Sequence, residues 1–306
     1  MKTDELKFKF DEYMAYLDVK EISKNSYRKM LNKWYDYITT LSIKYAKRND
    51  VLKYKEYLLK NYSSSTVQKH MVVLKGFYKY CNVEGYCDNI TLGVKGTKVS
   101  PSFQRQSLSP EEAIRLLERA EIVPNRRNGE ILTKRNYAIV ALMLTTGLRV
   151  IEVARSDVDD LDIIDGEYVI HVMGKGRDSK DDYVKLSTEV HDIIYDYLQA
   201  RDSGHEALFI THHRRFDNSR LSTKRISTIV KDLLVSIGYD SKAYSAHSLR
   251  HTFATTALKE GASLLETKEA LRHSDVSTTQ IYVDMIESKE ASTFQKVSDV
   301  LFKKKK

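Results

Sequence analysis

Apolar residues recur every three or four positions over most of the chain, the spacing that gives a helix one buried face. Phe10, Met14 and Leu17 mark such a face over 8–17, and Tyr27, Leu31, Trp34 and Ile38 mark a second, with Ser23 or Ser26 as the expected N-cap. A third helix is expected over 51–59. A fourth starts at the cluster Ser63, Ser64, Ser65, Thr66 and carries Val67, Met71, Leu74 and Tyr78 on one stripe. The period is lost over 93–108, GVKGTKVSPSFQRQSL, where two glycines, a proline and several serines indicate a linker. It resumes at Ser109 and Pro110, N-cap and first helical residue, followed by Glu111 and Glu112 where the helix dipole favours acids.

A polar loop over 124–132 leads to the most apolar helix of the chain, YAIVALMLTT over 137–146, which Gly147 stops. Another helix begins in 148–152. The period then changes to two: EYVIHVM over 167–173 and DYVKL over 182–186 alternate as strands, joined by the polar tip GKGRDSKD, with 161–164 as a third strand before them. Helical spacing returns over 190–198, 222–237, 246–259 and 263–271, with a short apolar run at 207–211. The pattern therefore predicts a mainly α protein with a small antiparallel β-sheet in the C-terminal domain, and 1–92, 93–108 and 109–306 as helical domain, linker and second domain.

Charge adds a partner class. Of 306 residues, 50 are Lys or Arg and 42 Asp or Glu, a net charge of +8. Residues 1–100 hold 19 basic and 11 acidic side chains, and residues 101–306 hold 31 of each, so the whole excess lies in the first third. A basic excess confined to one segment points to a polyanion, most simply nucleic acid, whose phosphates such charges neutralise. Lys69, Lys75 and Lys79 fall largely off the apolar stripe of the fourth helix, and Lys95, Lys98 and Arg105 line a linker without acidic residues, so these six are the expected DNA-backbone contacts. No segment has the ~20 apolar residues of a membrane span, and the N-terminus lacks an apolar signal core, giving an expectation of a cytoplasmic protein with no membrane partner. Cys81 and Cys87 are too few for a zinc knuckle.

Candidate chemistry concentrates in 245–284, SAHSLRHTFATTALKEGASLLETKEALRHSDVSTTQIYVD. On a helix, His247 and Arg250 share one face and can address one anion. His273 follows a second short helix and Tyr282 comes nine residues later. A tyrosine hydroxyl, with an unperturbed pKa of ~10, becomes a useful nucleophile when cations hold the electrophile and stabilise the charge that develops. Arg149, placed just after the Gly147 stop, supplies a second guanidinium fork for phosphate oxygens. No metal is expected: the His247, His251 pair lacks the glutamate a metalloprotease helix needs, Ser248 standing there, and the acidic run 157–162 reads as a solvated turn.

The segments TTGLRVIEVARSDVDDLD, GKGRDSKDDYVKLS, AHSLRHTFATTAL and LRHSDVSTTQIYVD together resemble the catalytic domain of the tyrosine recombinases, the phage integrase and Xer family, and 6–92 resembles that family's helical, SAM-like core-binding domain. The resemblance implies the two-domain architecture of the family and no cofactor. Arg149 and Arg250 would be its phosphate-binding arginines, His247 a general base or phosphate donor, His273 a further phosphate ligand and Tyr282 the nucleophile. Lys175 would be the general acid for the leaving 5′ oxygen. Lys180 in the same loop is the rival, and the Gly-Lys-Gly pattern favours Lys175. Glu152 would support Arg149 and His247 from behind. One departure stands out: the family commonly has glycine before His273, and this chain has Arg272, which is strained if the backbone there is left-handed and is a further candidate DNA contact.

The implied activity is site-specific recombination through a 3′-phosphotyrosyl intermediate and a Holliday junction. The implied partners are a double-stranded DNA recombination site, three further protomers in a tetramer, and an accessory or directionality protein. The segment 286–302, with Phe294, Val297, Val300 and Leu301 near helical spacing, is expected to pack on a neighbouring protomer. A type IB topoisomerase-like nicking-closing enzyme and a catalytically silent DNA-binding factor of the same fold are the alternative functions. The length fits an Xer protein or a simple mobile-element recombinase better than a long phage integrase.

Overall fold

A computed structural model describes residues 1–98, 106–123, 129–174, 179–201, 203–212, 218–273, 279–280 and 282–283. The chain divides into two compact units, 1–102 and 103–306.

The first unit holds α1 (Thr3–Tyr16), α2 (Glu21–Thr40), α3 (Arg48–Asn61) and α4 (Ser64–Val83). Their stripes meet around Trp34, which is fully buried and donates its indole N–H to Tyr78 Oη at 3.1 Å. Val67, Met71, Leu74 and Tyr78 of α4 are all buried, as the helical spacing requires. Ser63 caps α4 by accepting from the Thr66 N–H. The helix starts are the main departures from expectation. Lys20 is the N-cap of α2, and neither Ser23 nor Ser26 is. α1 begins at Thr3 because Glu5 reaches back to the Lys2 N–H at 2.9 Å, satisfying a donor that the helix itself leaves unpaired. Lys69 and Lys79 are exposed, Lys75 is half-buried, and Lys95 and Lys98 are exposed. The backbone of 94–97 lies on this unit: Val94 is buried in its core, Lys55 donates to the Lys95 and Gly96 carbonyls, and Gln68 accepts from the Thr97 N–H at 2.7 Å.

The second unit holds α5 (Pro110–Glu121), α6 (Gly129–Thr146), α7 (Val150–Arg155), a three-stranded sheet, α8 (Thr188–Ala200), α9 (Thr223–Ser236), α10 (Ala246–Lys259) and α11 (Leu264–Ala270). The sheet is antiparallel throughout, in the order β1 (Leu161–Ile164), β2 (Glu167–Val172), β3 (Asp182–Lys185). The β1–β2 turn is Asp165-Gly166, both with positive φ, the two-residue turn whose twist matches its strands. α6 is about two turns longer than its apolar run. Its added residues include Arg135, which is buried because its guanidinium serves the carbonyls of Ile210 and Thr211. α6 runs through the core: Ile139, Val140, Leu142 and Met143 are at most 1% exposed, and α5, α8, α9 and α10 pack around it. No described helix is long and apolar enough to cross a membrane.

Candidate active site

The site is built where α6 ends. Gly147 turns the chain at φ 63°, and a Cβ there would stand 2.7 Å from Phe253 Cδ1 and 2.9 Å from Leu271 Cδ2, so only glycine lets α10 and the end of α11 come this close. The turn delivers Arg149 as N-cap of α7. Glu152, three residues on, accepts from the Arg149 backbone N–H at 2.7 Å with Oε2 and from Arg149 Nη1 at 2.8 Å with Oε1. The Glu152 side chain is fully buried and that of Arg149 a quarter exposed, so the guanidinium is held through Nη1 and stays partly open to solvent.

Arg250 enters from α10 and is 1% exposed. Its Nη1 donates to the Gly147 carbonyl at 2.6 Å and its Nη2 to the Leu271 carbonyl, stitching the α6–α7 turn to the end of α11. Burial, with Arg149 nearby, pulls this guanidinium down to about 10, so it is still a cation at neutral pH. His247 and His251 stand one turn apart on α10, with ring centres 4.6 Å apart.

α9, α10 and α11 end alike: the second residue past each C-cap donates its N–H to the carbonyl five residues back, and the residue before it takes a positive φ, the Schellman cap that glycine favours. That residue is Gly238 after α9, Gly261 after α10 and Arg272 after α11, the last at φ 53°. For a side chain this conformation costs about 1–2 kcal/mol. Arg272 Nη2 donates to Glu152 Oε2 at 2.9 Å and Nη1 to the Ala270 carbonyl, with its side chain 11% exposed. Burial alone would raise the Glu152 carboxyl; Arg272, then the backbone and guanidinium of Arg149, outweigh it and hold Glu152 below the usual carboxylate range. Two guanidinium groups, those of Arg149 and Arg272, thus bind one carboxylate, with Arg250 as a third cation beside them, and the surplus positive charge makes the site a place for an anion.

His273 follows. Its Nδ1 is 2.9 Å from Oγ1 of Thr279, which is itself fully buried. Burial and the surrounding arginines push this imidazole down to about 4, so it is neutral at pH 7. Tyr282 is 3% exposed, packed on Ala254 and Leu271. Its ring lies parallel to His273 at 6.4 Å and edge-on to His251 at 5.1 Å. Burial raises its hydroxyl pKa, and Arg250 and Arg149 pull the other way.

The structure thus gathers Arg149, Glu152, His247, Arg250, His273 and Tyr282 around the α6–α7 turn, α10 and the end of α11. Two neighbours are not singled out by the sequence. His251 lies between His247 and Tyr282, and its i, i+4 spacing to His247 is the available signal; Thr279 gives none, sitting in a run of Ser and Thr. Lys175, Arg105 and 286–302 lie outside the described residues. Lys180 is described, and its Nζ lies 2.7 Å from an oxygen of each of Asp157 and Asp160. Arg220 also binds Asp157. The acidic run is therefore an ion-paired corner with Asp160 buried, and not the solvated turn expected. Among the described residues no group of three or more His, Cys, Asp or Glu could hold a metal ion.

Comparison with known proteins agrees with this architecture. The model of the phage integrase family matches residues 106–289, and that of the phage integrase N-terminal SAM-like domain matches residues 10–85. The chain belongs to the phage integrase family of tyrosine recombinases. It is 32% identical over 233 residues to the tyrosine recombinase XerC of Lactobacillus delbrueckii subsp. bulgaricus, covering 72% of each chain. It is 30% identical over 308 residues to the tyrosine recombinase XerD of Oceanobacillus iheyensis, covering 95% of this chain and 98% of the relative. Its fold is that of the XerH site-specific recombinase in a post-cleavage complex with palindromic difH substrate, with TM-score 0.72, 20% identity, and coverage of 92% of this chain and 80% of that one.

Proposed function

We propose that this chain cuts and rejoins a specific DNA duplex through Tyr282. The observation that carries the reading is the carboxylate-poor cluster of buried Arg250 with half-buried Arg149 and Arg272 beside a buried tyrosine. A scissile phosphate entering it supplies the missing anion. Arg250 and Arg149 donate to its non-bridging oxygens, and neutral His273 donates through Nε2 while Nδ1 accepts from Thr279.

Tyr282 Oη then attacks phosphorus. Its proton passes to His247 as general base, the Oη–P bond forms, the P–O5′ bond breaks, and Lys175 protonates the leaving 5′ oxygen. Attack by a 5′ hydroxyl from a second duplex reverses the step, so the phosphodiester is conserved and no external energy is needed. Phosphate binding also lowers the Tyr282 barrier by placing the electrophile within reach of a hydroxyl that burial otherwise keeps protonated. Lys180 is engaged by two carboxylates, Asp157 and Asp160, which supports the reading of Lys175 as the acid. The exposed lysines Lys69, Lys79, Lys95 and Lys98, with Lys75 and Arg105, bind the DNA backbone. Two duplexes exchange strands through a Holliday junction held by four protomers, coupled through 286–302.

The test is a nicked duplex bearing the protein's site, obtained by selecting bound sequences from a random library. A covalent protein–DNA adduct that disappears in Tyr282→Phe while binding persists supports the reading. Binding without adduct on every selected site refutes it. Joining of strands from two duplexes separates recombination from nicking and closing.

A further inference from the structure

Arg272 occupies a backbone position that the ends of α9 and α10 give to Gly238 and Gly261, and its side chain turns inward. Glycine holds this kind of helix end without strain, as Gly238 and Gly261 do, and Ser42 after α2 is the other described side chain at one; an arginine that gripped DNA would leave its guanidinium in solvent. Arg272 instead spends Nη2 on the Oε2 oxygen that also accepts the Arg149 backbone N–H, and Nη1 on the Ala270 carbonyl. Its Nε is buried with no hydrogen-bond partner among the described residues, a further cost. A strained, inward arginine with an unmet donor is maintained for what it does to Glu152.

We propose that Arg272 is a positioning residue of the cleavage site: its ion pair secures Glu152, and through Glu152 it fixes Arg149 for the scissile phosphate. This rests on Arg149 being a phosphate ligand. The charges facing Glu152 are Arg149 from the turn before α7, Arg272 from the end of α11 and Arg250 from α10. The Arg272 charge is the largest single contribution opposing burial at this carboxyl, beside the charge and the two hydrogen bonds of Arg149. Without it, burial has less to oppose it, Glu152 takes up a proton more readily, and a protonated Glu152 no longer draws Arg149 Nη1 to Oε1. Arg272 also draws off part of the Glu152 charge, so Arg149 keeps positive charge for the substrate.

The variants are Arg272→Gln, which keeps length and removes charge, Arg272→Lys, which keeps charge, and Arg272→Gly, which also relieves the backbone. Adduct formation under single-turnover conditions on the nicked cognate duplex is followed between about pH 6 and 9. Arg272→Gln and Arg272→Gly are expected to bind DNA as the wild type does and to form adduct about tenfold more slowly, with the deficit deepening as pH falls. Arg272→Lys restores most of the rate. In carboxyl-labelled protein followed by NMR, the Glu152 titration moves to higher pH in Arg272→Gln.

Wild-type rate in Arg272→Gln, or a deficit equal in Arg272→Gln and Arg272→Lys at every pH, would falsify the proposal. So would a Glu152 titration that does not move. The titration requires no DNA, so a protein that forms no adduct at all refutes the recombinase reading while the Arg272–Glu152 coupling is still read independently.

Discussion

Gly147→Ala changes one methyl group and disturbs the site at its foundation. The backbone there has φ 63°, which costs a side-chain-bearing residue about 1–2 kcal/mol. The new Cβ would also lie 2.7 Å from the Phe253 ring and 2.9 Å from a Leu271 methyl, and forcing such a group into a packed interior adds about 1–3 kcal/mol. The expected loss is therefore about 2–5 kcal/mol, or roughly 5–15 °C in Tm for a unit of this size. Gly261→Ala is the control: its φ is 94°, but nothing lies within 4 Å of the added Cβ, so it carries backbone strain alone. Thermal unfolding of both variants by circular dichroism, with adduct formation measured on the same samples, separates the two contributions. Gly147→Ala should melt well below Gly261→Ala, and it alone should lose cleavage, because the Gly147 carbonyl holds Arg250. Equal melting temperatures, or full cleavage by Gly147→Ala, would refute the claim that this close approach builds the site.

Three further outcomes are expected. Lys175→Ala should block cleavage of ordinary DNA and regain it when the leaving 5′ oxygen is replaced by sulfur, which needs no acid; Lys180→Ala should lower Tm with cleavage per folded molecule unchanged, and the reverse pattern would exchange their roles. His273 is held near 4 against an ordinary 6.5, so the unfolded chain takes up its proton first and stability falls as pH drops from about 6.5 toward 4. His273→Asn should flatten part of that decline in an acid unfolding series, and an unchanged decline counts against neutral His273. Replacing Lys69, Lys79 and Lys98 one at a time with alanine should weaken DNA binding and reduce the slope of log affinity against log salt by about 1 for each phosphate that is no longer neutralised.

Helix identity is readable where a stripe is long, as in α10, whose limits coincide with the expected 246–259, and where a serine caps the helix that follows, as Ser63, Ser109, Ser187, Ser222 and Ser263 do. Where the cap is a backbone donor served from inside the helix, as at Lys2 and Glu5, composition carries no signal, and the apolar stripe reveals α1 only from residue 8 although the helix starts at Thr3. The first turns of α6 are hidden by polar residues: 129–132 read as loop, and Arg135 falls outside the apolar run until its carbonyl partners 75 and 76 residues away are known. The site residues are legible as types in an order. Their wiring is not: that Arg272 faces Glu152 across 120 residues, and that Lys180 is already engaged, are consequences of packing between segments that share no local pattern. The strain at Arg272 is the exception, because the family resemblance expects glycine before His273 and this chain has arginine there, at φ 53°.

Arg250 owes its position to two main-chain carbonyls, those of Gly147 and Leu271, whereas Arg149 owes its position to the side chain of Glu152. The two arginines therefore differ in mutational robustness. No side-chain replacement at residue 271 that keeps the backbone in place can remove an anchor from Arg250, so this half of the site is sensitive to changes that move the backbone, as at Gly147, and not to the loss of a side-chain partner. The Arg149 half depends on a carboxylate and its partners and is open to change. Arg272, standing where glycine would suffice for the turn, shows that this half can be rewired while the other stays fixed.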